Sequence, residues 1–488
     1  MAAAPGMKAL AAALLIWAVL VLPGPPVFPV ELPVLLILSR LRPLRLVLWL
    51  GLLAILAVRV ADAGMGMAFG RPFDLVADWP LLRSGWDLAR ASVGDLRVAL
   101  AVLPVLLIVW GLHAALRQGM ALPLLALVLV LPPDAPAVRL VSSKAEAVGR
   151  TLADLRIFEA AAQTDPFNGA PEVLSALRGH DAAILFVESY GRASFDNPRY
   201  ARHEAILREA EPRLRARGYA MRSGWLTSPV IGGQSWLAHA TLFSGLRIAD
   251  QGRYRALLQS PRRTLFHLAD QAGLHTLAVM PAITLPWPEG RMLGFAEILA
   301  AKDMRYAGRP LNWVTMPDQY TLSVLGRRMT GQGMFVGAAL ISSHAPWVPV
   351  IGIEDWDRIG DGAIFDGKGW DARSPEEVWR DPETIRDQYR DSLSYALRVV
   401  MGFAERQGEN LPLLVVLGDH QPAAFVAGGD SRDVPVHVIG PPDLIRRLDG
   451  WGFSDGLVPC LDLSPWPMEA FRDRYLGAFT DEAENSAD

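Results

Sequence analysis

The chain has 488 residues, is 51% hydrophobic and 20% charged, carries a formal net charge of −4 and holds one cysteine. A nearly balanced charge excludes a nucleic-acid footprint, which needs a basic face supplying several phosphate contacts. Cys460 alone excludes an intramolecular disulfide and a cysteine-rich zinc module. Apolar runs crowd residues 8 to 132 and nearly all acidic side chains lie beyond them, which predicts a membrane region followed by one globular domain.

In chain order, apolar segments at residues 8–23, 27–39, 44–60, 98–115 and 119–132 predict four or five membrane-spanning helices, five being favoured. The second and fifth are short against the roughly 20 residues a span requires. Arg40, Arg42 and Arg45 separate the second and third segments, and Arg117 the fourth and fifth. Basic residues in short loops stay cytoplasmic, so the amino terminus is expected inside and residues from 136 onward outside. The expectation is a multi-pass protein of a bacterial-type inner (plasma) membrane with its catalytic domain on the extracytoplasmic side. After Lys8, the sequence GPPVFPVELP offers no small-x-small cleavage site, favouring a retained anchor.

The predicted organisation is a transmembrane domain over 1–135, a connecting amphipathic segment over 136–170 and a catalytic domain over 171–488. Residues 143–163 read as a helix, with Leu152, Leu155 and Ile157 set among charges. Strand-length apolar runs follow at 182–187, 276–280, 335–341, 411–417 and 434–439, separated by helical patterns at 202–217, 262–272 and 383–406. Runs without alternation suit strands buried on both faces, so the expected fold is α/β with a mostly parallel central sheet.

Sites in such sheets lie beyond the carboxyl ends of the strands. Glu188 and Ser189 follow the first run, Ser342, Ser343 and His344 the third, and Asp419, His420, Gln421 and Pro422 the fourth. Glu188, Asp419 and His420 make a plausible carboxylate and imidazole ligand set for one divalent ion, Zn²⁺, Mn²⁺ or Mg²⁺, with an open position left over. In GGQSWLAHATLFSG, Gly232 and Gly233 permit a tight turn that puts Ser235 at a helix start, where anions are favoured. A hydroxyl beside a divalent cation ionises more readily, making Ser235 both a candidate ligand and a candidate nucleophile. A serine cap behind a glycine turn is the plain alternative. His344, fixed among prolines in SSHAPWVP, is placed to protonate a leaving group or hold an anionic oxygen. His239, one turn after Ser235, reads as packed, and His437 in VPVHVIG as a half-buried strand residue. Neither a GxxxxGK[ST] loop nor a GxGxxG strand-to-helix turn is present, so no nucleotide cofactor is expected.

These motifs resemble the alkaline phosphatase superfamily, in its sulfatase-like membrane branch of lipoteichoic acid synthases and phosphoglycerol or phosphoethanolamine transferases. The resemblance covers residues 178–445 and rests on VES with Glu188, Ser235 opening a helix, VVLGDHQP with Asp419 and His420, and His344 before a proline. It implies one metal held by Glu188, Ser235, Asp419 and His420, with Ser235 forming a covalent intermediate and His344 contacting substrate. It further implies a membrane-lipid head-group donor, phosphoglycerol-like, and a glycan or other hydroxyl acceptor. A membrane-anchored phosphodiesterase or phosphatase and a silent membrane scaffold are the alternatives. The lipid-dependent transferases commonly carry Thr where this chain has Ser235. Trp236, Leu237 and Ala238 break the C/S-x-P-x-R pattern of true sulfatases, and the single cysteine departs from the disulfide-rich phosphoethanolamine transferases.

Overall fold

The computed structural model describes residues 5–79, 81, 86, 95–118, 131–170, 173–369, 373–408 and 411–481. Two compact units divide the chain, Met1–Ile157 and Phe158–Asp488.

The first unit contains helices α1 (Pro5–Val21), α2 (Glu31–Leu38), α3 (Arg42–Phe69) and α4 (Asp95–Gln118), and most of α5 (Pro136–Ala162). Ala13, Ile16 and Leu20 of α1, Leu52 of α3 and Leu112 and Leu116 of α4 form its buried cluster. The Glu31 carboxylate accepts the N–H groups of Ala137 and Val138, satisfying donors that open α5.

Only one helix among the described residues is long and apolar enough to cross a membrane, Arg42–Gly66, with a mean hydropathy of 2.2. This overturns the multi-pass expectation and with it the extracytoplasmic placement counted from five spans. The apolar stretches at Ala9–Val21 and Val102–Arg117 are shorter. Prolines 23, 25 and 26 follow the end of α1, and α2 has 8 residues, a length of about 12 Å. Apolar composition therefore continued where helix did not. Of the fifth segment, residues 119–130 lie outside the described residues.

The second unit is an α/β domain around one sheet. Its strands are β1 (Ala182–Val187), β2 (Ala220–Thr227), β3 (His275–Met280), β4 (Glu297–Ala300), β5 (Met334–Leu340), β6 (Leu413–Gly418) and β7 (Asp433–Gly440), with the short β8 (Ser454–Asp455) and β9 (Trp466–Pro467). Their order is β8-β2-β7-β6-β1-β5-β3-β4, and β9 also pairs with β2. β6, β1, β5, β3 and β4 are parallel neighbours, whereas β7 is antiparallel to both β6 and β2, and β8 to β2. The sheet is thus mixed, correcting the mostly parallel expectation. Uninterrupted apolar runs report that both faces are covered and carry no information on direction, so β7 read like its parallel neighbours. β2 escaped notice because Arg222, Ser223 and Gly224 interrupt its apolar character.

Alternation along β1 feeds two cores: Ala183, Leu185 and Val187 enter one, Ala182, Ile184 and Phe186 the other. Val187 is in register with Leu340 of β5 and Gly418 of β6, so the chain leaves all three strands at one level. Helices α6 (Ala201–Ala216), α7 (Ser235–Ser244), α8 (Leu265–Gln271), α9 (Asp318–Gly326), α10 (Pro382–Glu405) and α11 (Ala470–Phe479) cover the sheet. α10 starts at Pro382 behind Asp381, whose carboxylate accepts the Glu383 and Thr384 N–H groups. It buries Ile385, Leu393, Ala396, Val400 and Phe403.

An ion pair within the domain ties α11 to the segment before β1. Arg472, with no exposed side-chain surface, donates to Asp165 at 2.6 Å, and Arg262 lies 3.7 Å from the same carboxylate. Asp165→Ala leaves two buried guanidinium groups short of their shared anion. A loss of about 3–5 kcal/mol in urea unfolding is expected, and a loss below about 1 kcal/mol, the size of a surface pair, would reject this role.

Candidate active site

The shared register of β1, β5 and β6 delivers three chain turns to one edge of the sheet. Glu188 follows β1, Asp419 and His420 follow β6, and ligand atoms from all three lie within 4.8 Å of one another. The turns are interlocked. The Ser189 N–H and the His420 N–H both donate to Asp419 Oδ1, at 2.8 and 2.7 Å. Ser189 Oγ donates to Glu188 Oε1 at 3.0 Å, and Ser343 Oγ donates to the Glu188 carbonyl at 2.6 Å. A Cβ at Gly418 would meet the Tyr190 carbonyl oxygen at 1.7 Å, so glycine is required for the two strand ends to close on each other.

Ser235 completes the arrangement from the first position of α7. The turn before it takes Gly232, Gly233 and Gln234 through φ of 72°, 150° and 66°. The Gly232 N–H donates to the Gln421 carbonyl at 2.9 Å, pinning this turn to the segment that carries His420. Ser235 Oγ lies 3.1 Å from Glu188 Oε2 and 3.2 Å from His420 Nε2.

Proton bookkeeping shows what the cluster lacks. His420 Nδ1 is 2.8 Å from the Gln421 carbonyl, which only accepts, so the ring proton sits on Nδ1. Nε2 lies 3.4 Å from Glu188 Oε1 and 3.7 Å from Asp419 Oδ2. Two carboxylates and an imidazole nitrogen converge in a buried place that the Ser235 hydroxyl also enters. Such a set fits a divalent cation, and an Nδ1–H committed to a backbone carbonyl is the usual way a ligand imidazole is oriented. The cluster is metal-competent in residue type and spacing.

Charge within the cluster follows the same logic. Burial raises Asp419 to about 6, with the Glu188 carboxylate adding to the effect. Burial pushes Glu188 upward too, yet the imidazoles of His344 and His420 and nearby hydrogen bonds outweigh it and leave Glu188 below its ordinary value. His420 is disfavoured as a cation by burial but raised overall by the Asp419 and Glu188 carboxylates.

No sequence family matches this chain, and no curated protein matches it. In fold it is similar to the lipoteichoic acid synthase LtaP from Listeria monocytogenes, at 12% identity over 58% of this chain and 70% of that one, with a TM-score of 0.37. It is similar to a protein of the alkaline phosphatase superfamily from Vibrio parahaemolyticus, at 15% identity over 59% and 68% and a TM-score of 0.36. A longer match, 97% of this chain and 95% of the other, joins it to the integral membrane lipooligosaccharide phosphoethanolamine transferase A from Neisseria meningitidis, at 13% identity and a TM-score of 0.48. Likenesses this distant assign the chain no reaction and no substrate.

Of the remaining sequence candidates, His344 stands outside the three-residue cluster. It is exposed, its Nδ1 bonds the Ala345 carbonyl, and it lines a cleft with Ser342, Val348 and Tyr395. Its charge is nonetheless the first to pull Glu188 downward against burial. His239 packs its ring 4.0 Å from that of Phe186, and burial lowers it to about 4. His437 is wholly buried in β7, deeper than the half-buried position expected of it.

Sequence reasoning passed over Ser189, Ser343, Gln234 and Asp318. Ser189 and Ser343 sit beside named candidates, but their bonds reach across the fold. Asp318, at the start of α9, accepts the N–H groups of Ile341 and Ser342 and so shapes the turn leading to His344; burial raises it to about 7. No local motif marks it.

Behind the site, the Ser223 hydroxyl donates to the Gly456 carbonyl and accepts from His437 Nδ1 at 2.9 Å, leaving Nε2 to accept from Tyr190 at 3.0 Å. The ring is therefore neutral, and burial lowers it to about 3. A folded value below the unfolded value of about 6.5 gives stability that is complete above pH ~6.5 and lost as pH falls toward ~3. His437→Asn is expected to flatten stability against pH between ~6 and ~4 by up to about 1.4 kcal/mol per pH unit relative to wild type. Urea unfolding at a series of pH values reads this, and parallel slopes for the two proteins would refute it.

Proposed function

We propose that this chain is a metal-dependent phosphoryl-ester transferase in which Ser235 is the nucleophile. The observation that carries the reading is the Ser235 hydroxyl at a helix start, 3.1 Å from Glu188 Oε2 and 3.2 Å from His420 Nε2. Glu188, Asp419, His420 and the Ser235 oxygen would hold one divalent ion, and imidazole with carboxylates suits Zn²⁺ or Mn²⁺ better than Mg²⁺. Such an ion, when bound, lowers the hydroxyl pKa and offsets charge on the phosphoryl oxygens.

The chain's own residues then divide the work. Ser235 gives up its proton to solvent, and its oxygen forms a bond to phosphorus as the bond to the leaving alcohol breaks. His344 supplies the proton that alcohol needs. An acceptor hydroxyl returns a proton to His344 as its oxygen takes the phosphoryl group and the bond from phosphorus to the Ser235 oxygen breaks, and that oxygen regains a proton from solvent. The helix start of α7 favours negative charge on the group in transit.

We take the donor to be a membrane-lipid head group of the phosphoglycerol type and the acceptor a glycan hydroxyl. Supporting this are the resemblance carried by VES, Ser235 and LGDHQP, and the helix Arg42–Gly66, the one among the described residues long and apolar enough to cross a membrane. Water as acceptor would make the same site a phosphodiesterase. A fluorescent phospholipid incubated with a glycan acceptor separates the two, since transfer gives a labelled glycan and hydrolysis gives free head group.

Ser235→Ala is expected to reduce turnover of phosphodiesters by at least about 10³-fold while retaining some bound metal. Glu188→Gln and Asp419→Asn are expected to lose metal outright, read by elemental analysis after dialysis. A phosphopeptide spanning Ser235, trapped by acid quench of the wild type, supports the covalent step. Full activity in Ser235→Ala removes it.

A further inference from the structure

The strand pairing of β5 stops at Leu340, whose carbonyl accepts the Glu188 N–H at 3.1 Å. Ile341 to His344 then form the turn that carries the candidate proton donor, and Ile341 and Ser343 are buried in it. A buried N–H beyond the end of a strand needs an acceptor from elsewhere. Asp318, the first residue of α9 and without exposed surface, supplies it: its Oδ1 accepts the Ile341 N–H at 2.7 Å and the Ser342 N–H at 3.0 Å. The Asp318 N–H in turn donates to Ser342 Oγ at 2.8 Å, so three hydrogen bonds join the start of α9 to two consecutive residues of the turn.

The hold passes directly to His344. Its N–H donates to the Ile341 carbonyl at 3.0 Å, so Ile341 is gripped by Asp318 through its N–H and grips His344 through its carbonyl. The remaining contacts of the turn run to other elements: Ser392 of α10 donates to the Ser342 carbonyl at 2.6 Å, and Ser343 Oγ to the Glu188 carbonyl at 2.6 Å. Asp318 is the member of this set that can ionise, yet it is spent on neutral donors. Its Oδ2 is buried with no hydrogen-bond partner among the described residues, and burial raises the carboxyl to about 7. A carboxyl this deep with an unpartnered oxygen gains nothing from a charge; what it contributes is one acceptor oxygen for two backbone donors, which an amide oxygen can also be.

We propose that Asp318 is a positioning residue for His344: by holding Ile341 and Ser342 against α9 it fixes where the imidazole meets the leaving alcohol, without touching substrate itself. This rests on the proton-donor role given to His344 above. The His344 side chain is exposed, so surrounding packing does not set its aim; the backbone of its turn does, together with the bond from Nδ1 to the Ala345 carbonyl. A reacting group displaced by about 1 Å can lose about 10²-fold in rate. Removing the Asp318 clamp therefore acts on the step that needs the His344 proton and spares a step that does not.

The full chain loaded with metal tests this with two phosphodiesters. Bis(4-nitrobenzyl) phosphate releases an alcohol that must be protonated as it leaves, whereas bis(4-nitrophenyl) phosphate releases a phenolate that leaves without that help. Asp318→Ala is expected to keep wild-type metal content, to lose about 10²-fold in kcat/KM on the benzyl ester and to lose less than about 3-fold on the phenyl ester. Asp318→Asn, which retains an acceptor oxygen, is expected to stay within about 3-fold of wild type on both. In a His344→Ala background, adding Asp318→Ala is expected to cost less than about 2-fold, since the group it positions is already gone. If Asp318→Ala does not fold, Ser342→Ala removes only the hydroxyl end of the clamp and is expected to show the same contrast between esters at about 3- to 10-fold. Equal losses on both esters in these variants, or a full extra loss in the His344→Ala background, make Asp318 a structural group and overturn the proposal. Equal losses on both esters in His344→Ala itself remove instead the proton-donor role on which it rests.

Discussion

The domain is organised around a cation-shaped deficit of positive charge. Two buried carboxylates and an imidazole lone pair face one another within 4.8 Å, an arrangement that isolated charges would not hold. Each is restrained from the side away from the cluster: Asp419 by two backbone N–H groups, Glu188 by Ser189, His420 by the Gln421 carbonyl. With those contacts made, the remaining acceptor atoms have nowhere to turn except toward a common centre. The Ser235 hydroxyl enters the same centre from a different part of the chain, 3.1 Å from Glu188 Oε2 and 3.2 Å from His420 Nε2.

Sheet register is what makes the convergence possible. β1 is hydrogen-bonded on both sides by parallel strands, and its last residue pairs with the last residues of β5 and β6. Residues following those strands therefore emerge together, from chain segments as much as 230 positions apart. The antiparallel β7 returns behind the site, and its His437 braces Tyr190 two residues beyond Glu188. A mixed sheet thus serves the site in two ways: parallel strands present the ligands, and the antiparallel neighbour backs the turn that carries one of them.

Much of this was legible in the sequence, for identifiable reasons. β1, β5 and β6 are apolar runs of strand length, and the residue types after them are ones whose chemistry is seldom wasted at a strand end. GGQS announced a turn into a helix because glycine pairs tolerate positive φ. Strand direction was hidden, since the apolar run of β7 looks the same either way. Membrane spans were overcounted because hydrophobicity persists across the prolines at 23, 25 and 26, which end a helix without ending the apolar composition. Asp318 was invisible, and the role of Ser343 hidden, for another reason: their partners are set by tertiary contact, and nothing local marks those partners.

The distribution of backbone strain points to the same place as the charges. Six non-glycine residues among those described have positive φ, and three of them, Ser189, Gln234 and Trp347, lie in the turns that carry Glu188, Ser235 and His344. Such conformations persist only where surrounding contacts over-determine them. At Ser189 the compensation is visible: its N–H holds Asp419, its hydroxyl holds Glu188, and its carbonyl accepts from Tyr389 at 2.9 Å. At Trp347 the indole donates to the Ser343 carbonyl at 2.7 Å and stacks on Trp379, fixing the loop of His344. At Gln234 the backbone does the holding: its carbonyl accepts the Leu237 N–H at 2.9 Å, and the Gly232 N–H two residues earlier donates to the Gln421 carbonyl at 2.9 Å. Positive φ thus gathers where the chain must reverse at once beside a strand end or a helix start, and the bonds that hold those three turns also fix the directions in which Glu188, Ser235 and His344 leave their elements.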